Sequence, residues 1–204
     1  MSVTQSILSV KTGNSEDQAF LNKLNALNFG AIVFKLMQSE DGKPMTREQA
    51  EKAVKKYKML LFLNFKYPNS HVVPNKLIDI AWHAHLLDSE LYDVHCSILF
   101  NRKLHHFPYF GLRGAQDTQI FLAAAARSKA LFEEYFGADV WEGDFPQPSL
   151  CCDGFYDDEV PRDRANNLSE SELAQAYAKV EQLMKLRPMP QNFNSQAVSI
   201  SLAA

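Results

Sequence analysis

Nothing in this 204-residue sequence is long and apolar enough to cross a bilayer: its longest apolar runs, residues 59–63 and 120–126, fall far short of the about 20 residues a spanning helix needs. A membrane is not an expected partner. The first ten residues lack both the charged leader and the continuous apolar stretch of a secretory signal, so export is not expected. Cysteine is scarce too. Cys96 and the adjacent Cys151 and Cys152 form an odd set without Cys-x-x-Cys spacing, which suits a reducing compartment and points to the cytoplasm. The formal charge of -3 and the pI of about 6.1 supply no cationic field, so nucleic acid is not an expected partner either. A phosphate-binding glycine loop and a serine nucleophile elbow are both missing, which removes the commonest nucleotide and esterase readings. Asp157, Asp158 and Glu159 lack the alternating carboxylates and central glycine of an EF-hand loop and read as a solvated turn.

What the sequence does carry is helical periodicity. A 46% hydrophobic and 22% charged chain of this length can bury one core, so one domain is expected. Ser15-Glu-Asp-Gln18 has the form of a capping box, and Phe20, Leu24 and Leu27 follow on one face up to an interruption at Gly30. The signal returns at Thr46-Arg-Glu-Gln49, where Ala50, Ala53, Val54, Tyr57, Leu61 and Asn64 make a helical stripe. Lys52, Lys55, Lys56 and Lys58 fall on the expected wet face of that helix. Pro74 suits a first helical turn, and residues 77–100 can run on as one central helix of about six turns. Pro108, Gly111 and Gly114 mark residues 105–114 as a connection, after which Asp117 can cap a helix that stops at Gly137. Residues 138–167 read as an irregular excursion rich in proline and acid, and Leu168-Ser-Glu-Ser-Glu172 then opens a last helix with a staple and a third capping box. The prediction is an all-α, single-domain bundle of five to six helices: an arm over residues 1–14, a helical domain over 15–187 and a mobile tail over 188–204.

Five of the six histidines, His83, His85, His95, His105 and His106, lie among Asp79, Asp88, Tyr92, Asp93 and Cys96. Imidazole, carboxylate and thiolate are the groups that bind transition metals or move protons near neutral pH, so this density invites a site. On a regular helix His83 and His85 point about 160° apart and cannot close on one ion, whereas Asp79 and His83, four apart, are neighbours. Along one straight helix His85 and Cys96 are separated by roughly 16 Å of rise and cannot share a site. Two arrangements remain open. One is an upper cluster of Asp79, His83, His85 and Asp88 completed by another helix; the other is a lower cluster of Tyr92, His95, Cys96 and His106, the easier end for a chain folding back after Phe100.

The run from Ile78 through Asp79, Trp82, His83, His85 and Leu86, followed by Tyr92, Cys96, His106 and Pro108, resembles the signature of the glycine-rich domain-containing protein-like family over about residues 15–137. The resemblance implies a helical domain of the kind found in plant proteins linked to stress and developmental signalling and in fungal and bacterial proteins, and it brings no reaction with it. With 8 glycines and no glycine-rich tract or RNA-recognition segment, the chain gives no ground for transferring an RNA role from larger plant members. Two functions follow. The first is a metal-binding protein or metal-dependent enzyme of a small-molecule pathway, holding zinc, iron or copper through His83, His85, His106, Asp88 and Cys96, with Asp79 and Tyr92 as candidate catalytic groups. The second is a non-catalytic module that binds a protein partner, in which the same residues form a structural hydrogen-bond network.

Overall fold

Capping chemistry and apolar spacing set the helix starts in the computed structural model, which describes residues 14–38, 44–142, 146, 153–155, 169–186 and 198–203. Seven helices are described: α1 (Ser15–Ala26), α2 (Gly30–Met37), α3 (Arg47–Lys66), α4 (Lys76–Leu87), α5 (Ser89–Phe100), α6 (Ala115–Phe136) and α7 (Glu170–Lys185). The all-α expectation holds. A short antiparallel pair, β1 (His105–Phe107) with β2 (Asp153–Phe155), joins the histidine segment to the C-terminal excursion in the register His105 to Phe155, His106 to Gly154 and Phe107 to Asp153. Neither strand was expected. Cys151, Cys152, Asp157, Asp158, Glu159 and Leu168 lie outside the described residues.

The capping boxes at Thr46 with Gln49 and at Ser169 with Glu172 form as expected. At α1 the box is shifted back by one residue: Asn14, not Ser15, caps the helix, its Oδ1 accepting from the Asp17 amide at 2.8 Å. Asn is as good a cap as Ser, and Asp17 adds an ion pair with Lys66 at 2.8 Å that holds this register. Helix α6 begins at Ala115, and Asp117 works from inside its first turn, accepting from the Gly111 and Arg113 amides at 2.7 and 3.1 Å. Gly137 ends α6 with φ of 102°, a left-handed value that needs no Cβ.

Two expectations are corrected by how the helices pack. The long helix over 77–100 is two helices, broken at Asp88, whose φ of -90° and ψ of 66° turn the chain so that α5 folds back on α4. The central element is instead α3, in which every residue from 53 to 64 except Lys55 is buried, because α1, α2, α4 and α6 all pack on it. Lys56 and Lys58 are therefore interior. Lys56 donates to the Trp141 carbonyl at 3.3 Å and pairs with Glu142 at 3.4 Å, while the Lys58 ammonium lies 5.1 Å over the Phe29 ring. Burial pushes Lys58 down to about 8.

The described end of the expected mobile tail is docked. Val198 and Ile200 are buried, the Asn25 side chain bonds both the amide and the carbonyl of Ile200 at 3.0 and 2.8 Å, and the Ala203 amide donates to the Tyr135 carbonyl at 2.7 Å. Apolar residues late in the chain thus return to α1 and α6.

Candidate metal centre

Helix α4 supplies one turn that carries both an acid and an imidazole. Asp79 and His83 stand four residues apart on one face, and His83 Nδ1 lies 3.3 Å from Asp79 Oδ2, the pairing their spacing predicts. The third member comes from the far side of the α4 to α5 hairpin. Helix α5 ends at Asn101, whose left-handed φ of 53° releases the chain, and four residues later β1 lays His106 across Asp79, with Nε2 at 3.0 Å from Oδ1. The rings of His83 and His106 are 4.5 Å apart, and the buried Trp82 ring meets His106 edge to face at 4.6 Å. One ligand atom from each of Asp79, His83 and His106 lies within 4.8 Å of the others. Among the described residues these three form a group that can hold a metal ion.

Electrostatics favours the charged acid. Burial alone would raise the Asp79 carboxyl, but the hydrogen bonds from His106 and His83 outweigh it and leave the group below its ordinary value. The bond to Asp79 in turn raises His83 against the opposing effect of burial. One carboxylate oxygen and two imidazole nitrogens are donors that zinc, iron and copper all accept, and the contacts of Asp79 with His106 and His83, at 3.0 and 3.3 Å, have the spacing of ligand atoms held about 2 Å from a common ion. Asp79 and His106 are nearly enclosed, with side chains 7% exposed, whereas the His83 side chain is 52% exposed. The group therefore meets solvent on the His83 side.

No family model, no curated protein and no solved structure matches this chain. The site must be read from its own geometry.

That geometry places the remaining candidates elsewhere. His85 points to the opposite face of α4, buried among Phe29, Tyr57, Tyr92 and His95, with Nδ1 3.0 Å from the Tyr57 hydroxyl. Desolvation pushes it down to about 3, which keeps it neutral. His95 lies 5.0 Å from His85, a meeting that a straight helix forbids and the break at Asp88 permits. Asp88 occupies that break, outside the three-residue group. Cys96 is buried beside Tyr92 and Leu104, and desolvation raises its thiol to about 11, far from a thiolate ligand. Tyr92 is buried, its hydroxyl accepting from Trp82 Nε1 at 3.1 Å and donating to the Leu104 carbonyl, so its one proton is committed inside the core. His105 precedes His106 on β1 and points to the other face of the strand.

The upper and lower clusters are thus both redrawn: Asp79 and His83 take His106 from the lower one, and His85 joins His95 and Tyr92. The roles of Tyr57 and the Leu104 carbonyl were not anticipated. The available signal was Asp88-Ser-Glu90, an acid-led helix-start pattern inside the apparent long helix, although the Asp88 side chain makes no cap bond.

Proposed function

We propose that this chain is a metal-binding helical protein whose centre is Asp79, His83 and His106, taking zinc, iron or copper and keeping a coordination position open toward solvent beside His83. The observation that carries the reading is the convergence of three ligand atoms within 4.8 Å from two stretches of chain that are 23 or more residues apart. Three protein ligands with an open position are what a metal needs to activate water or polarise a small-molecule substrate. Membership of the glycine-rich domain-containing protein-like family, and residence in the cytoplasm, belong to the same proposal. The first rests on the matched Asp79, Trp82, His83, His85, Leu86, Tyr92, Cys96, His106 and Pro108; the second rests on the sparse, unframed cysteines.

Elemental analysis of protein purified without a histidine tag, followed by Zn2+ titration, tests the centre. About one ion per chain is expected, and Asp79→Ala or His106→Ala should each weaken binding by more than about 100-fold, beyond what loss of an outer partner costs. Wild-type protein that neither retains nor takes up metal would remove the reading.

A second reading is supported by the pairing of Asp79, whose two oxygens already meet His106 and His83. A hydrogen-bond network complete in itself suits a rigid module that binds a protein partner. Under it the titration stays flat, and Asp79→Ala lowers stability by about 1 to 3 kcal/mol through unsatisfied partners.

A further inference from the structure

Three neighbours of the candidate centre form a connected set that the metal ligands do not explain. Trp82 sits on the same helical turn as Asp79 and His83, fully buried, with its ring edge-on to His106. Its indole N–H donates to the Tyr92 hydroxyl at 3.1 Å, and that hydroxyl donates to the carbonyl of Leu104, two residues before His106. Cys96 closes the set, its sulfur lying against Tyr92 and the Leu104 backbone. One phenol therefore ties α4, which carries two ligands, to the chain entering β1, which carries the third.

We propose that Tyr92 is a positioning residue, whose hydroxyl fixes both the Trp82 ring and the Leu104 carbonyl and so holds His106 over Asp79 in the geometry that binds metal. The proposal rests on the metal reading above. Its physical basis is that β1 is only three residues long and pairs with one strand, β2, among the described residues, so its depth relative to α4 needs a further anchor. Leu104 is that anchor, with its side chain in the core and its carbonyl on Tyr92. Trp82 is the second contact, because a tilt of the indole moves the surface against which His106 rests. Loss of the phenol oxygen leaves a buried N–H and a buried carbonyl to find other partners, and each can do so only by shifting the element that carries it. Tyr92 reaches the ligand-bearing segments through its hydroxyl bonds to Trp82 and Leu104.

Tyr92→Phe in the full chain keeps the ring and removes only the oxygen. Zn2+ affinity, measured by competition with a chromophoric chelator, should fall about 10- to 100-fold, the usual loss when an outer partner of a ligand is removed. Phe121→Leu, a core change in the satellite cluster with Val73, Phe110 and Ala125, serves as a stability-matched control and should leave affinity at the wild-type value. The metal-free proteins give an independent reading. In wild type the His106 Nε2 signal in a nitrogen-15 imidazole spectrum should report its bond to Asp79, and in Tyr92→Phe that signal should shift or broaden, while His83 keeps its own bond to the acid. Should Tyr92→Phe fail to fold, Trp82→Phe, which removes the indole N–H to Tyr92 together with part of the ring against His106, should show the same two changes. Wild-type affinity together with an unchanged His106 signal in the folded variant would make Tyr92 an ordinary core residue and overturn the proposal. If wild type takes up no metal at all, the proposed function falls, and the His106 signal still decides whether Tyr92 positions that ring.

Discussion

His83 and His85, two residues apart, occupy opposite chemical environments. Helical geometry turns His83 toward Asp79 and solvent, where hydrogen bonding favours its charged form, and turns His85 into an aromatic box, where desolvation suppresses charge. The consequence is separable phenotypes. His83→Ala should cut metal affinity and change melting little, since the side chain is half exposed. His85→Ala should lower stability by about 2 to 5 kcal/mol, the range for emptying a core site, and leave Zn2+ affinity near wild type. Denaturant melts and chelator competition on both variants check this, and a loss of affinity in His85→Ala that exceeds the effect of His83→Ala would reverse the assignment.

At the scale of elements, α3 is the frame on which the site is hung. It is buried on nearly every side, and the cost of that position is a lysine without an acid partner among the described residues: Lys58 touches the Phe29 ring and sits at about 8. In the unfolded chain a lysine holds its proton up to about 10.4, so between these values the unfolded state binds more protons than the native one. Stability should therefore rise with pH from about 8 to about 10.4, by up to about 1.4 kcal/mol per pH unit from this group. Lys58→Met removes the buried charge and should stabilise the protein at pH 7 by a few kcal/mol, on the order set by that shift, with the gain fading above about pH 10. Melting curves of both proteins from pH 7 to 10.5 test the sign, and a variant less stable than wild type at pH 7 would refute it. The same scale holds the break at Asp88, which converts two helical segments into a hairpin and brings His85 to His95.

For the molecule as a whole, closure depends on residues that return from the end of the chain. Val198 and Ile200 join the main core with Val180 and Leu183 of α7, and the Asn25 side chain holds Ile200 by two backbone bonds. Ile200→Ala should cost about 2 to 4 kcal/mol, and truncation before residue 198 should cost more, because it also removes the Ala203 bond to Tyr135. Equal melting temperatures for the full and truncated chains would show that this return contributes nothing. The candidate metal centre lies on the α4 and β1 side, so truncation should lower stability and leave any Zn2+ affinity intact in whatever fraction is folded.

Local rules written in the chain decided the helices, their caps at Thr46, Ser169 and Gly137, the turn that pairs Asp79 with His83, and the divergence of His83 from His85. Each follows from interactions within about four residues, where covalent geometry leaves few choices. Tertiary packing decided which histidine completes the group, that Lys56 and Lys58 are interior, and that Tyr92 and Cys96 are buried in the core outside the three-residue group. Those outcomes turn on the helices packed around α3, on one non-helical residue at Asp88 and on a two-stranded contact between segments about 50 residues apart, and contacts at such range have no periodicity for a sequence to display.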